Sequence, residues 1–226
     1  MEISSESLVK EYGRMVSSIC RRMVQDAEIA KDAAQQVWLE IIKSLPGFRG
    51  EAKISTWIYR IAYRVVLDFA KHERQYSTRF LRSYFRSGDM DLPQYEDFDK
   101  EIWVREMCDK CLTGMLHCLD NEARLTYILK DMAGLTYGEI AQIQEKDEQT
   151  VRQVVSRTRR KLRSFLKGEC VLFNPHGTCR CRMKKWVEQI NLPQEYEKLR
   201  TIARSVNVYR ESETVLPGKN YWLAYL

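Results

Sequence analysis

Apolar residues return every three or four positions through nearly all of the first 167 residues of this 226-residue chain. That period gathers them on one side of a helix, whereas a strand would need alternation. Alternating stretches are scarce and β-branched residues do not cluster, so the expected fold class is all-α. Residues 4–25 read as a first helix. Residues 28–44 read as a second, with Ala33, Val37, Ile41 and Leu45 on one face, stopped by Pro46 and Gly47. After the polar loop "GFRGEAKIS", Ser55 is placed to cap a third helix, "TWIYRIAYRVVLDFAKHERQ". Its Trp57, Ile58, Ile61, Ala62, Val65, Val66 and Phe69 form a wide apolar stripe. Helical pattern resumes near Ile102. Asp120 is placed to cap "NEARLTYILKDM", and Gly134 to end it.

Residues 135–166, "LTYGEIAQIQEKDEQTVRQVVSRTRRKLRSFL", hold two further helices. Thr136 and Glu139 have capping-box spacing, and Ile140, Ala141 and Ile143 supply a short apolar face. "QEKD" is a polar turn. Asp147 is placed to cap the second helix, whose acidic start suits the helix dipole. Val151, Val154, Val155, Thr158, Leu162 and Phe165 then form its buried stripe. Residues 151–167 contain seven basic residues and no acid. A solvated helix face ordinarily mixes both signs, so the imbalance favours DNA contact. Two short helices with a polar entry to the second match the helix-turn-helix plan. Side chains near the second N-terminus reach base edges and arginines reach phosphates.

The third helix carries Arg60, Arg64, Lys71, His72 and Arg74 beside Tyr59 and Tyr63, both expected to be exposed. Cations interleaved with aromatics suit single-stranded nucleic acid, where bases stack on rings. The same spacing also fits plain core aromatics, and the residues alone leave both readings open.

At 44% hydrophobic content the chain can build one large core or two small ones. Residues 87–101, "SGDMDLPQYEDFDKE", hold six acids, one lysine and a proline, which makes a linker. The expected organisation is a domain over 1–86, an acidic linker over 87–101, a helix-turn-helix domain over 102–168 and a small extension over 169–226. No run of eighteen apolar residues exists, and the start lacks a basic-then-apolar signal pattern. A cytoplasmic protein without membrane contact is expected. The serines, histidines and acids form no catalytic constellation, so the chain is not expected to be an enzyme by itself.

Seven cysteines are an odd count for a disulfide framework. Cys170, Cys179 and Cys181 flank a Pro-His-Gly turn. With Cys111 they make a candidate tetrahedral thiolate site for one zinc ion, structural or sensing. Cys108 or His176 are alternative ligands, and free buried thiols are the alternative for the whole set. Cys20 and Cys118 read as core.

Residues 26–75, including "DAAQQVW" and "FRGEAKIS", resemble the promoter-melting domain of bacterial sigma factors of the extracytoplasmic-function group. Residues 135–166 resemble their −35-binding domain. The resemblance covers roughly 5–75 and 102–167. It implies a protein that binds core RNA polymerase, reads −35 and −10 promoter elements and melts the duplex. It implies polymerase contacts on the β′ clamp helices through Asp32, Gln35, Gln36 and Leu39, and on the β flap. It implies −10 contacts through Phe48, Arg49, Lys53, Trp57, Arg60 and Arg64, with Trp57 also able to brace the pocket from within. It implies −35 contacts through Gln149, Thr150, Arg152, Gln153, Ser156, Arg157 and Arg160. An anti-sigma factor is a further implied partner. Some members carry a similar "C…NP…C-x-C" segment, whereas common members stop near residue 167. The competing readings are a stand-alone helix-turn-helix regulator and a metal- or redox-sensing protein.

Overall fold

The computed structural model describes residues 4–87, 113–170, 174 and 176–178, with side chains described through residue 83 in the first of these segments. All regular elements among the described residues are helical. They are α1 (Ser5–Met23), α2 (Ala27–Ser44), a 3₁₀ turn (Leu45–Gly47), α3 (Ile54–Ala70), α4 (Thr78–Ser87), α5 (Asn121–Tyr127) with a π-turn (Ile128–Met132), α6 (Tyr137–Gln144) and α7 (Glu148–Glu169). The described residues fall into two compact units. Of the described residues, one unit joins those up to Gln75 with Asp120–Ser156; the other joins those within 76–119 with those within 157–178.

In the first unit α1, α2 and α3 pack on one another. Val16, Ile19 and Met23 of α1 meet Ala33, Val37 and Ile41 of α2 and Ile58, Ala62 and Val66 of α3 in the core, all within 1% of full burial. Ala30 and Ala33 are small where helices approach closely. Ser4 starts α1 by accepting the Ser7 N–H, and Asp26 starts α2 by accepting those of Glu28 and Ile29. Pro46 sits at the head of the 3₁₀ turn that ends α2, and Leu45 belongs to that turn rather than to the α2 face.

Four expectations are corrected in α3. It starts at Ile54 with Lys53 as N-cap residue, so Ser55 lies inside it, and it ends at Ala70 rather than Gln75. Tyr59 is buried, not exposed: its ring meets Tyr12 edge-on at 6.3 Å, and burial, then Glu11, pushes its hydroxyl up to about 12. Trp57, Ile61, Val65 and Phe69 are only half-buried.

The ends of this bundle are closed by α5. Asp120 caps α5 through the Ala123 N–H, as its position implies. Arg124, fully buried, donates from Nη1 to the Met23 carbonyl at 3.0 Å, at the last residue of α1. Asn121 Nδ2 donates to the Ala70 carbonyl at 2.5 Å, at the last residue of α3. Carbonyls that helix ends leave orphaned thus find side-chain donors, and the guanidinium also meets the negative end of the α1 dipole. Beyond α5 the helix loosens into the π-turn before Gly134, which takes φ +70°.

In the second unit α4 was not anticipated; Ser77 caps it through the Phe80 N–H. Leu81 anchors it, and Arg82 pairs with Glu169 at 2.5 Å. Leu116 and Cys118 are buried, and Lys161 donates to the Cys118 carbonyl. Residues 87–112, expected to contain the acidic linker and the next helix's start, lie outside the described residues apart from Ser87.

Candidate nucleic-acid interface

The helix-turn-helix is built from its caps. Thr136 Oγ accepts the Glu139 N–H at 3.2 Å, and Glu139 accepts the Thr136 N–H at 2.9 Å, a complete capping box. Glu145 ends α6 in the left-handed region at φ 55°. Asp147 then caps α7, accepting from the Thr150 N–H and hydroxyl; the Thr150 hydroxyl first, then its N–H, hold the carboxyl below its usual range. Val151, Val155, Thr158, Leu162 and Phe165 are buried and Val154 half-buried, the stripe the spacing requires.

The remaining faces of α7 are solvent-facing. Gln149, Arg152, Gln153, Ser156, Arg157 and Arg160 are exposed, and Thr150 is half-buried. Arg152 Nε donates to Glu148 at 2.9 Å, and its guanidinium lies 4.3 Å from the Tyr137 ring centre. Lys130 stands 4.5 Å from the same ring. Tyr137 and Glu148 thus brace the first basic side chain of α7, with a cation–π contact of about 0.5–1 kcal/mol at an exposed site. Sequence reasoning missed both; the i,i+4 spacing of Glu148 and Arg152 was the available signal.

On the first module Phe48 and Trp57 rings lie 5.1 Å apart at the start of α3, both half-buried. Arg49 is exposed. Lys53, Trp57, Arg60 and Arg64 share one side of α3 by their spacing of four, three and four. Lys53 pairs with Glu139 at 3.0 Å, Arg60 donates to the Gln142 carbonyl at 3.0 Å, and Arg64 lies 3.7 Å from Glu145. Arg60 Nε is buried without a hydrogen-bond partner.

A third surface lies on α2, opposite its core side. Asp32, Gln35 and Leu39 are exposed, and Gln36 is half-buried and donates to Glu40 at 3.2 Å. Leu39 is 59% exposed, and Ile42 beside it, which sequence reasoning did not select, is 48% exposed.

Of the candidate metal ligands, Cys170 lies half-buried at the end of α7. Cys111, Cys179 and Cys181 lie outside the described residues. No His/Cys/Asp/Glu group able to hold a metal occurs among the described residues. Cys20 is fully buried, its thiol pushed up to about 12 by burial, and Cys118 is buried too, as core residues. No helix among the described residues is long and apolar enough to cross a membrane.

A cationic, aromatic-lined helical module beside a basic helix-turn-helix defines a two-part DNA-binding protein. Residues 8–76 match the family model for sigma-70 region 2, and residues 109–162 that for sigma-70 region 4. The RNA polymerase sigma-H factor of Pseudomonas aeruginosa is 27% identical over 156 residues, 67% of this chain and 80% of that protein. The ECF RNA polymerase sigma-E factor of Escherichia coli strain K12 is 26% identical over 163 residues, 67% and 81%. The RNA polymerase sigma factor SigZ of Bacillus subtilis is 27% identical over 165 residues, 73% and 88%. The chain belongs to the sigma-70 family as a sigma factor of the extracytoplasmic-function type, a protein of transcription initiation.

Proposed function

We propose that the chain docks on the β′ clamp helices of core RNA polymerase through Asp32, Gln35, Gln36 and Leu39, extended by Ile42, and on the β flap through the helix-turn-helix module. In the cytoplasm it reads the −10 element with Phe48, Arg49, Lys53, Trp57, Arg60 and Arg64. It reads the −35 element with Gln149, Thr150, Arg152, Gln153, Ser156, Arg157 and Arg160. It acts by binding rather than by catalysing a reaction.

The observation that carries this reading is the exposed side of α7: basic, free of acids from Val151 to Lys167, and set on a helix whose other side is core. Duplex DNA answers such a surface through its phosphates, and Gln149, Arg152 and Gln153 stand where base edges are read. Melting follows from binding energy. Extruding a base costs a few kcal/mol. Stacking on an aromatic ring returns about 1–3 kcal/mol per base, and cations add phosphate contacts. Phe48 and Trp57 with Lys53, Arg60 and Arg64 supply both kinds of contact. Recognition and opening are then one event, because the energy returned depends on which base is held.

Reconstituted transcription with core polymerase tests the assignment. Arg152→Ala with Arg157→Ala is expected to abolish dependence on the −35 sequence. Arg60→Ala with Arg64→Ala is expected to abolish opening at −10 with −35 duplex binding kept. Unchanged −35 dependence in the first variant would place the reading helix elsewhere.

The thiols of Cys111, Cys170, Cys179 and Cys181 are proposed to hold one zinc ion, structural or sensing. Their spacing supports this, as does the turn at Asn174–Thr178, which returns to the end of α7 through Asn174 N–H to the Cys170 carbonyl at 2.8 Å and Thr178 to Glu169. Elemental analysis of purified protein with and without Cys170→Ser decides it.

A further inference from the structure

The end of α7 that faces DNA carries an acid. Glu148 is exposed in the first turn, where it adds negative charge beside a surface proposed to meet phosphates. Charge alone counts it as a cost to binding. Its geometry gives it another task. Arg152 donates from both Nε and Nη2 to Glu148 Oε1, the Nε bond at 2.9 Å. That spends one edge of the guanidinium. The group holds five N–H donors in a rigid fork, so the outer pair on Nη1 and Nη2 stays parallel. Two parallel donors are what reads a base edge with two acceptors. The fork is fixed from a second side as well. Its central carbon lies 4.3 Å from the centre of the Tyr137 ring. Lys130 Nζ stands 4.5 Å from the same centre and donates to the Leu135 carbonyl at 2.8 Å, so the ring is itself tied to the backbone that leads into α6.

We propose that Glu148 and Tyr137 are positioning residues that hold the Arg152 guanidinium ready for one −35 base pair, so that the acid serves discrimination at the expense of bulk affinity. The inference rests on the −35 reading of Arg152 and adds what aims that side chain. A loose arginine reaches a phosphate as readily as a base, and phosphate contacts carry no sequence information. A held arginine reaches a phosphate only by leaving both Glu148 and the ring. Holding it in advance also removes the ordering cost of a long side chain for the base that fits the fork. The Arg152 and Glu148 side chains are 55% and 46% exposed, so their pair adds little to stability. Glu148 also suits the positive end of the α7 dipole. A residue kept for that purpose alone would move stability and leave base preference where it was.

The test uses the full chain bound to core polymerase. Its probes are a −35 duplex that the parent complex selects from a randomised library, and the single base-pair substitutions of that duplex. Glu148→Ala is expected to bind unrelated duplex as well as the parent or better, yet to lose about fivefold or more of the preference at one base pair, the scale of one bidentate contact. Glu148→Gln, which still accepts a hydrogen bond from Arg152, is expected to restore part of that preference. Tyr137→Leu should lose preference at the same base pair, and Tyr137→Phe, which keeps the ring, should restore it. Tighter binding by Glu148→Ala with every preference unchanged would mean that the acid only repels phosphates, and would overturn the proposal. So would a loss spread evenly over the whole −35 element, the mark of a damaged helix, or an unchanged preference in Tyr137→Leu. Arg152→Ala separates the two ideas. If it leaves every −35 preference intact, the reading of Arg152 fails. If it removes the preference at one base pair while Glu148→Ala keeps it, only the positioning role fails. In the Arg152→Ala background, Glu148→Ala is expected to change that preference no further.

Discussion

Glu139 holds three partners with one carboxyl. The Thr136 backbone N–H, then Lys53, then the Thr136 hydroxyl pull it from 4.5 down to about 2. A carboxyl lowered on folding contributes stability that is complete above about pH 4.5 and is lost as pH falls through about 2. Glu139→Gln is therefore expected to flatten the acid side of the stability curve between those values, read from thermal midpoints at a series of pH values. Thr136→Ala removes the other half of the box and is expected to cost about 1 kcal/mol in urea unfolding. Arg124 is fully buried and caps α1 from 101 residues away. Arg124→Met leaves the Met23 carbonyl without that donor, and about 1–3 kcal/mol is expected to be lost. The caps at Asp120, Thr136 and Asp147 were legible because each needs a particular side chain three residues before the N–H it accepts. The role of Arg124 was not, because nothing local distinguishes it from a surface arginine.

Among elements, α6 and α7 were legible at their starts, since capping residues, polar turn and apolar period agree there, while α6 keeps Gln144 from the expected turn and α7 runs on to Glu169. At α3 they disagree. Lys53 caps it without a side-chain hydrogen bond, so no residue type marks the start, and Ser55 drew the boundary inward. Tyr59 looked exposed beside Arg60, but α1 supplies Tyr12 and covers it. The end of α7 depends on Gly177, where a Cβ would come within 2.7 Å of the Cys170 and Glu169 backbone. Gly177→Ala is expected to lift the 174–178 turn off the helix and to speed alkylation of Cys170 severalfold, measured by mass spectrometry in native buffer. An unchanged rate would mean that the turn accommodates the methyl group in place.

For the molecule as a whole, charge placement matters more than the net +6. Each phosphate neutralised on duplex DNA steepens the fall of log affinity with log salt by about 0.9. If Arg160 contacts phosphate alone, Arg160→Ala on the polymerase-bound chain is expected to flatten that slope by about one unit with sequence preference unchanged. If Arg152 reads a base, Arg152→Ala is expected to relax preference at one position. Titrating salt on matched and mutated −35 duplexes separates the two. By itself the sequence determined the all-helical class, the helix-turn-helix with its caps and stripe, and the kinds of side chain turned toward DNA. All of these follow from spacing within a few residues. Tertiary structure alone decided that α5 seals the ends of α1 and α3, that α1 buries Tyr59, and that α6 sits against Lys53, Arg60 and Arg64. Each of those joins residues some 47 to 101 positions apart, and a helical period carries no information about which distant surface will cover it.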